Sequence, residues 1–157
     1  MKGNSKVIAA LSEALKAELT AINQYFCHAE MCDNWGYKNL GKVTKGHAIG
    51  EMKHAEALIE HILFLDATPN MSAYFKINIG GTVKQQLHND LALELDAIPR
   101  LNEGIRICVA EGDNGSRELL EKILKDEEEH VDYLEAQLHQ IAEMGLQNYL
   151  TEQVKEG

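Results

Sequence analysis

The chain has 157 residues, with 15 Lys plus Arg against 25 Asp plus Glu and a formal net charge of −10. That length suits one domain, 1–157, with room for a proper core, and the acidic balance opposes a basic nucleic-acid-binding surface. The longest run of large aliphatic or aromatic residues, Ile62 to Leu65, is too short to span a membrane, and the opening Met-Lys-Gly-Asn-Ser-Lys leads into an amphipathic pattern rather than a secretory signal.

Two prolines among abundant Ala, Leu, Glu, Lys and Gln point to an all-α chain. The first amphipathic segment runs from about Ser5 to Asn34, with Leu11, Leu15, Glu18, Ile22, Tyr25 and Ala29 tracing one helical face, and Trp35-Gly36 ends it. The second runs from near Lys38 to Asp66, with Ala48, Glu51, His54/Ala55, Leu58, Ile62 and Leu65 on one face; Thr68-Pro69-Asn70 stops it. A connection of about fourteen residues follows, ending in Gly80-Gly81-Thr82. Thr82 with Gln85 reads as a capping box that opens the third segment, striped by Leu87, Leu91, Glu94, Ile98, Leu101, Ile105 and Cys108. Pro99 inside it should kink or loosen the helix, because its ring removes a hydrogen bond. The run Gly112 to Ser116 reads as a tight turn into a fourth helix striped by Leu120, Ile123, Glu127, His130, Leu134, Gln137/Leu138 and Ile141. After Gly145, Leu146 to Thr151 forms a short fifth helix.

Helices of nearly thirty residues are each roughly 40 Å long. Short turns after the first and third make antiparallel hairpins, while the long connection crosses the bundle and leaves the second and third parallel. The expected fold is therefore an all-α, ferritin-like four-helix bundle with one long crossover and a short C-terminal fifth helix. Cys27, Cys32 and Cys108 are odd in number and form no C-x-x-C, which reads as reduced thiols in a cytoplasm.

The chemistry lies in two Glu-x-x-His units, Glu51-Met-Lys-His54 and Glu127-Glu-Glu-His130, together with Glu18 and Glu94. Each of the four glutamates interrupts an apolar stripe. On a helix, Glu at i and His at i+3 share a face and can hold one metal together. Four carboxylates and two imidazoles aimed into one core are costly to bury without a compensating cation. All six lie about midway along their helices, so they meet at one depth. This is the ligand set of di-iron and di-manganese carboxylate bundles, and its oxygen-rich composition suits iron or manganese better than zinc. One such unit alone is usually incidental; two, with two interior glutamates at matching depth, are not. Tyr25, on the same stripe, admits two readings: a redox-active phenol near the metals, or a core tyrosine. His28, His47, His61, His88 and His139 lack a comparable constellation and are expected at surface or packing positions. The acidic run Asp126 to Glu129 is expected to be a solvated face, with Glu127 its inward member.

These residues resemble the bacterioferritin family over essentially the whole chain. The strings Met1-Lys2-Gly3, Ala21-Ile22-Asn23-Gln24-Tyr25-Phe26, Glu51-Met52-Lys53-His54-Ala55 and Ile62-Leu63-Phe64-Leu65 carry the resemblance. So do Asp90-Leu91-Ala92-Leu93-Glu94 and Gly145-Leu146-Gln147-Asn148-Tyr149-Leu150. The resemblance implies a ferroxidase centre with two iron ions per subunit, held by Glu18, Glu51, His54, Glu94, Glu127 and His130. Glu51 and Glu127 would bridge, and each histidine would cap one iron. It implies Fe(II) oxidation by dioxygen or peroxide and iron storage in a homo-oligomeric cage of 24 subunits built from dimers. Among partners it implies a second subunit type able to co-assemble and a small ferredoxin-type protein that supplies reductant. Met52 matches the residue that holds a haem b shared between two subunits. It lies about 100° around the helix from Glu51 and so faces outward. Leu19, Ile22, Asn23 and Phe26 match positions near that haem.

The chain departs from the family's pattern at several places. Gly46 and Gly50 stand where His and Asp often form an inner-surface iron site, and Lys45 stands where a tyrosine lies near the haem. Thr68 and Met71 alter the patch on which the ferredoxin would dock. A di-metal oxidase or peroxidase that stores nothing would use the same bundle and differ in assembly size. A DNA-protecting mini-ferritin is opposed by the acidic balance and by a ligand set carried within one bundle.

Overall fold

In the computed structural model, which describes residues 1–155, the chain forms α1 (Ser5–Asn34), α2 (Lys38–Phe64), α3 (Val83–Ala110), α4 (Asn114–Met144) and α5 (Leu146–Gln153). The last two residues of the domain expected over 1–157 lie outside the described residues. Three of the helices, α1, α3 and α4, begin where side chains can satisfy free backbone donors. Asn4 Oδ1 accepts from the N–H groups of Lys6 and Val7, Thr82 Oγ1 from that of Gln85, and Asp113 Oδ1 from that of Ser116. The capping box is incomplete, because Gln85 Oε1 accepts from Gly81 rather than from Thr82.

Several boundaries move. The second helix stops at Phe64 because Asp66 takes a left-handed backbone, φ 59°, which ends the helical path before it. The fourth helix starts inside the expected turn, since capping by Asp113 lets Asn114 and Gly115 join it. The third runs unbroken through Pro99, where a kink or loosening was expected. Pro99 and Leu95, whose carbonyl loses its intrahelical donor, both lie on the exposed side, so water can take the place of that donor.

The long connection shows how the bundle is wired. Gly3 N–H donates to Leu65 O, Phe75 N–H to Thr20 Oγ1, Asn78 N–H to Gln24 Oε1 and Gly80 N–H to His28 Nε2. The connection therefore climbs α1 from its start to within two turns of its end. That path carries the chain from one end of the bundle to the other and makes α2 and α3 parallel. Lys16 and Arg100 each place a cation over the Phe75 ring, at 4.2 and 3.9 Å from its centroid, which pins the middle of the connection between α1 and α3.

α1 packs most extensively on α2 and α3 on α4, with α1 against α3 joining the two hairpins. Val7, Leu11, Leu58, Ile62, Leu120 and Ile123 form the apolar core at one end of the bundle. Leu40, Leu87, Leu134, Ile141 and Tyr149 form it at the other, where α5 seats its tyrosine. Between the two lies a polar layer.

The buried face of α3 is turned from the one expected. Asp90, Ala97 and Gly104 are buried, while Leu91, Ile98 and Ile105 are only half-buried. Small residues allow close helix approach: a Cβ added at Gly104 would lie 3.0 Å from Leu120 Cδ1 and 3.5 Å from Ala10 Cβ. Apolar periodicity alone points to the larger residues beside them.

Candidate metal centre

The polar layer gathers all six sequence-predicted residues. Glu18 comes from α1, Glu51 and His54 from α2, Glu94 from α3, and Glu127 and His130 from α4. The four glutamates are buried and the two histidines nearly so, each side chain keeping a small exposed edge of 13% and 14%. Two overlapping groups result. Ligand atoms of Glu18, Glu51, His54 and Glu127 lie within 4.8 Å of one another, and so do those of Glu51, Glu94, Glu127 and His130. Glu51 and Glu127 belong to both, so the two groups overlap through two carboxylates.

The donor atoms converge without satisfying one another. His54 Nδ1 stands 3.2 Å from Glu127 Oε1 and 3.5 Å from Glu18 Oε2; His130 Nδ1 stands 3.1 Å from Glu51 Oε1 and 4.0 Å from Glu94 Oε1. Yet Glu18 Oε2, Glu51 Oε1, His54 Nδ1, Glu94 Oε2, Glu127 Oε1 and His130 Nδ1 are buried with no well-formed hydrogen bond. Native interiors rarely leave such atoms unpaired, and here one comes from each of the six residues. Divalent cations, to which oxygen and imidazole nitrogen both coordinate, would satisfy all of them at once.

The electrostatics agree. Burial pushes the Glu18 carboxyl well above the usual carboxylate range, with the charges of Glu51 and Glu127 adding to it. Burial does the same to Glu127, again helped by Glu51. Glu51 goes the other way: burial raises it, but the polar groups of Glu18, His130, His54 and Glu127 turned towards it outweigh that and hold it well below the usual range. Burial opposes a charge on His54, yet Glu127, Glu18 and Glu51 lift its imidazole far above the ordinary value. Without metal, the cluster therefore gathers protons to offset its negative charge. Metal cations would take their place.

Tyr25 is buried beside this layer and donates its hydroxyl to Glu94 Oε1. Burial and the charges of Asp90 and Glu51 push its phenol well above its usual range. Among the remaining histidines, His88 and His139 are exposed, His61 meets Ser116 Oγ at 2.8 Å, and His28 is a buried packing residue. His47 is different. Its ring lies 4.3 Å from that of His130 and 4.9 Å from that of Tyr133, centroid to centroid. Asp126, expected only as part of a solvated face, reaches His54 Nε2 with Oδ2 at 2.7 Å. Neither contact had a signal in the sequence, because each joins α2 to α4 across more than seventy positions.

Met52 is 45% exposed, against 1% for the neighbouring Glu51. It shares the outer face of α2 with the exposed Ile49. Leu19 is buried, Ile22 and Phe26 half-buried, and Asn23 exposed. Lys45 is exposed and pairs with Glu30 at 3.4 Å. Nothing stands within 4 Å of a Cβ added at Gly46 or Gly50. Thr68 and Met71 are exposed on the connection. The three cysteines are unpaired, and no described helix is long and apolar enough to cross a membrane.

Residues 8–144 match the ferritin-like domain family. The chain is 46% identical to bacterioferritin BfrA of Mycobacterium tuberculosis over 149 residues, covering 95% of this chain and 94% of that protein. It is 45% identical to the bacterioferritin of Streptomyces coelicolor over 151 residues, 96% of this chain and 90% of that one. Against the bacterioferritin of Brucella melitensis the identity is 42% over 149 residues, 95% and 92% of the two chains.

Proposed function

The chain belongs to the bacterioferritin family of iron-storage proteins, and on that premise we propose that its polar layer is a ferroxidase centre. In this reading Glu18, Glu51, His54, Glu94, Glu127 and His130 bind two Fe(II) as substrate within one subunit. The observation that carries it is the set of six buried, unsatisfied donor atoms, one from each residue. Glu18 and His54 serve one position, Glu94 and His130 the other, and Glu51 and Glu127 serve both, in keeping with the two four-residue groups.

The chemistry follows from that donor set. Two Fe(II) surrender one electron each; with two protons these convert dioxygen to hydrogen peroxide, or with two protons convert hydrogen peroxide to two waters. Anionic oxygen donors favour the higher charge of Fe(III) over Fe(II), which lowers the cost of the oxidation. The burial of the carboxylates limits water to the edge, where His54 and His130 are partly exposed. Tyr25, through its bond to Glu94, holds that carboxylate and is the nearest phenol.

The rest of the assignment is extended from the family. Fe(III) is stored as mineral in a cage of 24 subunits built from dimers, in the cytoplasm, and a small ferredoxin-type protein returns electrons. Met52 fits a role as haem ligand, since its thioether is exposed beside Ile49 on the outside of α2, where a second copy can meet it. A haem b between two such methionines would supply an electron carrier between the shell and its contents.

The test combines optical and size measurements. Fe(II) added to purified protein in aerobic buffer should be oxidised in a rapid phase saturating at two iron per subunit, and further iron should remain soluble inside a particle of cage mass by light scattering. Oxidation no faster than in buffer overturns the ferroxidase. A stable small dimer that retains no iron overturns storage and favours a non-storage di-metal oxidase.

A further inference from the structure

The two halves of the metal centre are braced in different ways. His54 is braced from behind: Nδ1 faces Glu18, Glu51 and Glu127, while Nε2 lies 2.7 Å from Asp126 Oδ2. A carboxylate behind a ligating imidazole fixes the ring's orientation and strengthens it as a donor. His130 has no such partner. Its Nδ1 faces Glu51, Glu127 and Glu94, and no described residue makes a hydrogen bond to its Nε2.

What His130 has instead is a ring. His47 of α2 sits between His130 and Tyr133, two α4 residues on one face at i and i+3. Its centroid is 4.3 Å from that of His130 at an interplanar angle of 52°, and 4.9 Å from that of Tyr133 at 78°. The residue before it and the one a turn later are Gly46 and Gly50, so no side chain at those positions of α2 supports the ring. His47 is held by the two α4 rings, and it in turn limits the directions in which His130 can swing. Tyr25 approaches His130 edge-on from a greater distance, 6.2 Å.

We propose that His47 is a positioning residue for the second metal position, its ring holding the His130 imidazole with Nδ1 aimed at Glu51, Glu94 and Glu127. The position served by His54 is locked by a charged hydrogen bond, and the position served by His130 by ring packing alone. Loss of His47 therefore weakens one position and spares the other. This inference rests on the ferroxidase reading above, and its test separates the two.

The probe is Co(II), which does not turn over here and reports ligation through its visible absorption. Wild-type protein should bind two Co(II) per subunit. In a His54→Ala background, where the His130 position remains, adding His47→Ala should weaken Co(II) binding about tenfold or more, the usual effect of losing an outer-shell partner. In a His130→Ala background, the same change should leave affinity and spectrum unaltered. His47→Phe should restore binding in the first background, because it keeps the ring. Equal loss in both backgrounds, no loss in either, or failure of the Phe variant to restore binding would overturn the role of His47 while leaving the di-metal reading intact. Failure of wild-type protein to bind two Co(II) would remove both.

Discussion

His28 and Asp90 join α1 to α3 through a fully buried contact, Nδ1 to Oδ1 at 2.9 Å. The other ring nitrogen of His28 accepts from Gly80 N–H at 3.0 Å, so Nδ1 is the donor and Asp90 the acceptor. Gln24 donates to the same Asp90 oxygen at 2.8 Å. The network thus clamps the end of the crossover to both helices, one turn before Glu94. Asp90→Ala leaves two buried donors without an acceptor, at about 1–3 kcal/mol each. The expected loss is about 3 kcal/mol of stability by chemical denaturation, with amide exchange accelerated first at Asn78 and Gly80. A loss below about 0.5 kcal/mol would show that water replaces the carboxylate.

Metal-free, the cluster is an internal strain. Glu18 has a folded pKa raised above its unfolded value, so the fold prefers the neutral form. Stability falls as pH rises from the unfolded value, about 4.3, towards the raised one. Glu18→Gln copies the neutral form and should stabilise metal-free protein by about 1–2 kcal/mol at neutral pH. It should also shrink the thermal shift that metal produces. A variant less stable than wild type in chelator would contradict the electrostatic account.

Metal binding should release protons. Glu18 and Glu127 are both raised, and His54 is raised as well, so all three tend to be protonated before metal enters. Ligands must give up those protons, which makes affinity rise with pH and fall in acid. Titration of redox-inert Zn(II) into weakly buffered protein at neutral pH should acidify the solution by at least one proton per subunit. A site already deprotonated would leave the pH unchanged.

Removing a ligand from either end of the second position should abolish rapid oxidation. His130→Ala and Glu94→Ala should each slow the initial stopped-flow phase by two orders of magnitude or more, the upper end of what loss of metal affinity costs when even an outer-shell partner is worth about 10–100-fold. The helices should persist by circular dichroism, since the layer is not what holds the apolar ends together. Wild-type rates in either variant would rule out that residue as a ligand.

Met52 should be separable from this chemistry. It lies beside Glu51 in sequence but about 100° around the helix, on an exposed face. Met52→Leu should remove the haem Soret band and leave the fast phase of Fe(II) oxidation within about twofold of wild type. Haem retained in the variant would point to another axial ligand.

The six residues of the layer were legible in the sequence because a helix turns spacing into direction. Glu51 with His54 and Glu127 with His130 share a face through local geometry alone, and each interrupted an otherwise apolar stripe. Matching depth along four helices of similar length then brought Glu18 and Glu94 to them. The crossover was legible for a similar reason, since its length allowed it to run along a helix.

Contacts between helices were not legible, because rotation about each helix axis is set by what packs opposite. The stripe of α3 placed Leu91, Ile98 and Ile105 inward, whereas close approach at Gly104 to Leu120 and Ala10 turns Asp90 and Ala97 into the core. The sequence alone determined the helices, their connection and which six polar residues share the buried layer, all of which follow from short-range periodicity. Only the tertiary structure decided that Asp126 backs His54, that His47 packs on His130 and that His28 clamps the crossover through Asp90. Those pairs depend on the angular setting of one helix against another, and no repeat along a single helix encodes it.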